Sequence, residues 1–282
     1  TYRDSVTYRT DGAHVASQFG AVAALVRSVG PTGLRTPHTG SLQYEPDAPP
    51  IPAAAVAAED ADRIARLQAR GVSVRVRLTM DARTETDVAS ANVVGEILGR
   101  ERPDEVVLLG GHLDSWDVGT GASDDAVGSI VTWEAARLMI SLGIRPRRTV
   151  RIVLWTNEEN GLRGATAYAA RYAAQADDHV LAIESDSGVF APSRIGFSGG
   201  DAARSLVRDI GTLLTPLGLE RIGGGGGGAD IAPIAQVGRV PMLAYLGNPD
   251  RYFAIHHTSA DTVDRIAPEE VSKAAAALAI IA

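Results

Sequence analysis

Three short apolar runs in this chain each stop at a cluster of acids, and that recurrence restricts the fold more than any other feature. Val106-Val107-Leu108-Leu109 runs into Gly110-Gly111-His112-Leu113-Asp114. Ile152-Val153-Leu154-Trp155-Thr156 runs into Asn157-Glu158-Glu159, and Val180-Leu181-Ala182-Ile183 into Glu184-Ser185-Asp186. Continuous apolar runs of this length read as strands buried on both faces. A parallel sheet delivers the residues that follow such strands to its carboxyl edge, where ligands bind.

From about residue 88 onward, strand-like and helix-like segments alternate. The pattern predicts an α/β fold with a mainly parallel mixed sheet and helices on both faces. Val127, Ile130, Val131, Ala135, Leu138 and Leu142 fall on one predicted helical face. Asp124 and Asp125 stand at the start of that helix, where the dipole favours negative charge. Alone, Asp124 reads as a helix cap; beside His112 and the Glu158-Glu159 pair, it reads as a ligand.

Residues 1–87 read as a separate small module. The region is punctuated by Pro and Gly between residues 30 and 52, with helix-like spacing over residues 13–19 and 59–70. Residues 53–57 can form a strand. Val72 to Leu78 alternates with period 2, which predicts a second strand with one wet face. Nothing here resembles a catalytic cluster, and His38 and Ser41 read as loop residues. The six-glycine run at 223–228 lacks the Lys-Ser/Thr of a phosphate loop, so it is expected to be a flexible loop near the site.

Composition excludes several function classes. A net charge of −7 argues against a nucleic-acid partner. No apolar run approaches the roughly 20 residues needed to cross a bilayer. With no cysteine, disulfides and thiolate ligands are excluded and the compartment is left open. The chain starts at Thr1 and ends within an apolar helical pattern, so it is expected to be a fragment or a trimmed mature form.

His112 and Asp114 form a His-x-Asp pair whose side chains share one strand face, so the Asp114 carboxylate can hold the second imidazole N–H. Side chains of adjacent extended residues diverge, so one of Glu158 and Glu159 can bind metal while the other faces water as a general base. A mixed His and carboxylate set favours a hydrolytic divalent metal such as zinc.

Five motifs in order carry a family resemblance. They are Gly110-Gly111-His112-Leu113-Asp114-Ser115, Gly121-Ala122-Ser123-Asp124-Asp125, Asn157-Glu158-Glu159-Asn160-Gly161-Leu162-Arg163-Gly164, Glu184-Ser185-Asp186 and His257-Thr258-Ser259-Ala260-Asp261-Thr262. Together they resemble the M28 family of co-catalytic zinc exopeptidases over residues 88–282. Within it, Trp116-Asp117-Val118-Gly119 and the paired His256-His257 are similar to the carboxypeptidase Q branch. The resemblance implies a zinc exopeptidase fold with two Zn2+ per chain. It implies that His112 and Asp186 bind one zinc, that Glu159 and His257 bind the other, and that Asp124 bridges them. Glu158 would be the general base, with Asp114 and Asp261 as supporting partners, and the Asp124–Asp125 peptide would be cis. Asp230 matches a position near that family's substrate pocket, and His256 falls outside the ligand motif.

The N-terminal module resembles a protease-associated lid domain. The family's catalytic domain normally begins before the lid, so that first segment is expected to be absent here. The expected substrate is a short peptide with a free N-terminus, the expected location is secreted or periplasmic, and a homodimer is left open. Two alternatives stand beside this reading: a one-zinc acyltransferase of the glutaminyl-cyclase kind, and a non-catalytic receptor-like relative.

Overall fold

The computed structural model describes residues 2–219 and 222–282, which form two compact units. The smaller unit comprises Thr1–Ala89 with the excursions Trp116–Gly119 and Phe253–Ala260. The larger comprises Ser90–Ser115, Thr120–Tyr252 and Asp261–Ala282.

The smaller unit is built on helices α1 (Tyr2–Thr10), α2 (Gly12–Gln18) and α3 (Ala58–Ala69). Strands β1 (Ala24–Arg27) and β2 (Ala53–Val56) pair in parallel. The expected helices and the strand near residue 53 are present, and Gly71 follows α3 at φ 75°, where a side chain would be strained. The strand expected over residues 72–78 is absent. Alternation satisfies only half of what a strand needs; among the described residues none forms a ladder with this segment, and Val72 and Val76 stay exposed.

The larger unit is an α/β structure on a seven-stranded mixed sheet ordered β3-β5-β4-β6-β9-β7-β8. The strands are β3 (Val93–Ile97), β4 (Arg102–His112), β5 (Arg148–Trp155), β6 (His179–Glu184), β7 (Arg194–Ser198), β8 (Ile222–Gly224) and β9 (Met242–Leu246). β4 runs parallel to both β5 and β6, and β6 is parallel to β9 and β7 to β8. β3 pairs antiparallel with β5, and β7 with β9.

Side-chain alternation along β4 places a core on each face of the sheet. Val107 and Leu109 pack with α4 (Val127–Ser141) and α9 (Pro268–Ile281) through Val131, Ala135 and Leu278. Val106 and Leu108 pack with α5 (Arg163–Arg171) and α7 (Ala232–Gly238) through Tyr168 and Ile234. α6 (Asp201–Leu213) joins the first core through Val207. A further helix, α8 (Pro249–Ile255), precedes the paired histidines.

The apolar stripe of α4 is narrower than the sequence suggests. Ile130 is 50% exposed and Leu142 is 71% exposed. Ile130 lies a hundred-degree step off the Val127–Val131–Ala135 line, and Leu142 stands beyond the helix end.

Two glycines let α4 start hard against β4. A Cβ on Gly111 would lie 2.6 Å from the Gly128 carbonyl carbon, and one on Gly128 would lie 1.8 Å from the Ser185 oxygen. This close approach sets the helix start, with Asp124 and Asp125, beside the carboxyl ends of β4 and β6.

Candidate metal centre

β5, β4 and β6 are consecutive in the sheet, so the segments leaving their carboxyl ends emerge side by side, about 5 Å apart. β4 ends at His112, whose side chain is buried. Its Nδ1–H donates to the Asp114 backbone carbonyl at 2.8 Å, which turns Nε2 toward the acids. Nε2 lies 3.2 Å from Asp124 Oδ1 and 3.4 Å from Asp186 Oδ1.

Asp114 acts differently from the sequence expectation. Its nearer carboxylate oxygen stands 3.8 Å from His112 Nδ1, beyond hydrogen-bond range. The carboxylate instead accepts the backbone N–H of Glu158 at 3.0 Å and of Glu159 at 3.2 Å. Glu158 and Glu159 therefore lie in a turn pinned by one carboxylate, not in extended backbone. The preceding Asn157 takes φ 61° to enter that turn.

The acids after β4 divide two jobs. Asp125 Oδ2 accepts the His112 N–H at 2.9 Å and Oδ1 accepts the Gly128 N–H at 3.2 Å. Capping thus belongs to Asp125, while Asp124 faces His112. The Asp124–Asp125 peptide is cis. Asp261 fixes this turn by accepting the Ser123 and Asp124 N–H groups at 2.7 and 3.0 Å.

The donor atoms of His112, Asp124 and Glu159 lie within 4.8 Å of one another, as do those of His112, Asp125 and Asp186. Zinc–ligand bonds are about 2 Å, so donors on one ion are separated by up to about 4 Å. A slight contraction of the first set fits zinc. Within the second set, both Asp125 oxygens already accept backbone amides, which leaves His112 and Asp186 as the available donors.

Electrostatics point the same way. Burial would lower the His112 imidazole, but hydrogen bonds to Asp124 and Asp186 raise it instead. Burial pushes Glu158 up to about 9, with the Asp186 charge adding to it. Burial also raises Glu184 to about 8, with Asp186 next, and Asp230 to about 10, with Glu184 next. Asp186 and Asp125 are raised by burial as well. So many carboxylates taken from water beside one another form a site that a cation would stabilise.

Glu184, to which its motif assigned no role of its own, and Asp230, expected near the substrate pocket, are both buried acids. Glu184 Oε2 accepts the Ile231 N–H at 2.9 Å, and a Cβ on Gly228 would meet the Glu184 carboxyl at 2.1 Å. The last glycine of the six-residue run is thus a close-packing position. The available signal was an acid as the final residue of an apolar strand.

His257 belongs to the smaller unit. Its Nδ1–H donates to the Thr39 carbonyl at 3.0 Å, leaving Nε2 as a lone-pair donor. Its ring stacks on His256 at 3.6 Å between centroids, with Trp116 at 5.9 Å. His38, expected as a loop residue, is 4% exposed. Burial, and then the charges of His257 and Arg9, push it down to about 4.

Comparison with known proteins decides the family. Residues 92–282 match Peptidase family M28. The chain belongs to peptidase family M28. Across 281 residues it is 42% identical to carboxypeptidase Q of Mus musculus, covering 100% of this chain and 60% of that protein. Human carboxypeptidase Q is 41% identical over 280 residues, covering 99% and 59%. The chain therefore spans about six-tenths of the length of these M28 relatives. The structure of a peptidase M28 precursor from Shewanella amazonensis SB2B is 35% identical, with TM-score 0.89, covering 99% of this chain and 63% of that one. A zinc aminopeptidase from Bacillus subtilis shares the fold at 18% identity and TM-score 0.66, covering 95% and 65%. The M28 mixed sheet is thus the scaffold of this centre, and no helix among the described residues is long and apolar enough to cross a membrane.

Proposed function

We propose that this chain carries the catalytic centre of a two-zinc exopeptidase that hydrolyses short peptides with a free N-terminus, as an aminopeptidase or dipeptidase. The observation that carries the reading is the convergence of His112, Asp124 and Glu159 donors within 4.8 Å, with Asp186 beside His112, at the carboxyl ends of adjacent parallel strands. His112 and Asp186 would hold one zinc, Glu159 and His257 the other, and Asp124 would be shared. Zinc, when bound, supplies Lewis-acid polarisation of the scissile carbonyl and acidifies water.

The chain's own residues do the rest. Asp114 fixes the turn so that Glu158 and Glu159 present different carboxylates. Glu158, left over from the donor set, takes the proton of the attacking water and passes it to the leaving amine. Its carboxyl is held high by burial and the Asp186 charge, and a divalent cation held beside it would bring it down toward the range a base needs. The N-terminal unit, in its resemblance to a protease-associated lid, would limit substrate length. A secreted or periplasmic location belongs to the same reading.

Zinc analysis beside a panel of dipeptides and aminoacyl-anilides tests the proposal. Two zinc ions per chain with release of N-terminal residues are expected. One zinc with cyclisation of N-terminal glutamine would establish the acyltransferase alternative, and fully zinc-loaded protein without turnover would establish the non-catalytic one.

A further inference from the structure

The loop that carries Glu158 and Glu159 leaves β5 after Trp155 and ends where α5 begins. Its base is closed by a residue that belongs to none of the sequence motifs. β3 pairs antiparallel with β5 only as far as Val93, which faces Leu154. One residue earlier the main-chain ladder stops, and the half-buried side chain of Asn92 takes over. Asn92 Oδ1 accepts the Thr156 N–H at 3.1 Å, and Nδ2–H donates to the Gly164 carbonyl at 2.9 Å. The Gly164 N–H donates in turn to the Thr156 carbonyl at 3.0 Å. Asn92, Thr156 and Gly164 thus close a ring in which the carboxamide stands in for a peptide group, one acceptor beside one donor. The reverse orientation of the amide would face donor with donor and acceptor with acceptor.

Gly164 is fitted to this ring. A Cβ there would lie 2.3 Å from Asn92 Oδ1 and 2.5 Å from the Thr156 carbonyl oxygen. The loop has a second tether, the Asp114 carboxylate on the Glu158 and Glu159 N–H groups. Asp114 holds the turn and Asn92 the base, and every residue of this arrangement belongs to the larger unit. We propose that Asn92 is a positioning residue for the hydrolytic centre. It acts only through the loop, setting the reach of Glu159 toward the metal and of Glu158 toward water. This rests on the exopeptidase reading and adds the edge strand β3 to the elements that build the centre.

Asn92→Ala removes both side-chain bonds. Asn92→Asp, of the same shape, keeps the acceptor toward Thr156 and loses the donor toward Gly164. Stepwise zinc titration, carried out well below the melting temperature of each variant, separates positioning from general loosening. Groups that orient metal ligands typically change affinity by about 10–100-fold. Asn92→Ala should weaken by that factor the zinc step that Glu159→Gln also weakens, and leave the other step at its wild-type value. Turnover of leucyl-leucine at saturating zinc should fall about 10–100-fold in kcat with little change in KM. Asn92→Asp should fall between wild type and Asn92→Ala in both assays. Hydrogen exchange reads the loop without reference to metal or activity. Loss of two neutral hydrogen bonds should speed exchange at Thr156, Glu158, Glu159 and Gly164 by about 10–100-fold, with the β4 amides unchanged. If the wild type takes up no second zinc or cleaves no peptide, the exopeptidase reading fails, and the exchange rates still decide whether Asn92 holds this loop. Two zinc steps weakened alike, or loop amides that exchange at the wild-type rate in Asn92→Ala, overturn the proposal.

Discussion

Replacing Asp114 should loosen the turn that presents both glutamates, and the structure sets the size of the effect. The carboxylate accepts two backbone N–H groups, at 3.0 and 3.2 Å. A hydrogen bond to a charged group contributes about 1.5–3 kcal/mol net. The Asp114 side chain is 27% exposed, so each bond should fall near the lower bound, about 1.5 kcal/mol, and the pair near about 3 kcal/mol. Asp114→Asn keeps one acceptor and turns an NH2 toward the second amide, so it should lose about 1.5–2 kcal/mol; Asp114→Ala should lose about 3 kcal/mol. For a unit of this size, about 2–4 °C in Tm accompanies each kcal/mol, so Asp114→Asn should melt about 3–8 °C lower. With the base displaced by a fraction of an ångström, kcat should fall about 10–100-fold, while zinc affinity weakens through Glu159. Calorimetric melting beside dipeptide turnover at saturating zinc measures both. An Asp114→Asn variant that melts within 1 °C of wild type, as about no lost bond would require, and turns over at the wild-type rate would refute the clamp.

Other perturbations separate the remaining roles. Glu158→Gln should keep both zinc ions and lose about 10²–10⁴ in kcat, whereas Glu159→Gln should lose one zinc and regain some activity in excess metal; elemental analysis with rates distinguishes them, and the opposite pattern reverses the assignment. Gly128→Ala would place a Cβ 1.8 Å from the Ser185 oxygen and 2.2 Å from Asp125 Oδ1, so soluble yield and Tm should drop sharply, and a wild-type melt would show the helix start to be adjustable. His179 is buried against Tyr168 and the Gln175 carbonyl, and burial lowers its imidazole. The unfolded chain then binds the extra proton, so His179 contributes stability above its ordinary value of about 6.5 that is lost as pH falls from there through the lowered folded value. Denaturant midpoints from pH 8 to about 4 should decline on that limb, and a slope unchanged in His179→Gln would count against it.

The sheet and its ligand-bearing edge were legible because burial on both faces leaves an unbroken apolar run, and the acids mark where burial stops. β4, β5 and β6 follow directly. What was not legible depends on partners distant in sequence. Residues 72–78 alternate like a strand, yet pairing decides strands, and no ladder forms there among the described residues. The Glu158-Glu159 turn depends on a carboxylate from residue 114, which local spacing assigned to the neighbouring imidazole. A backbone carbonyl took that place because the Asp114 side chain turned toward β5. His38 sits among Pro, Gly and Thr, as loops do, and one of the rings beside it, that of His256, lies more than 200 positions away. Asp124 and Asp125 were indistinguishable by composition; only the hydrogen bonds to His112 and Gly128 assign the cap to the second.

The central claim is that this edge holds two zinc ions around Asp124. Diffraction from zinc-loaded crystals, with anomalous data collected above and below the zinc edge, tests it most directly. Two peaks should flank Asp124, about 3.5–4 Å apart as in paired-metal sites, one touching His112 and Asp186 and the other Glu159 and His257, with Glu158 touching neither. A single peak, a peak on Glu158, or zinc lying away from Asp124 would contradict it.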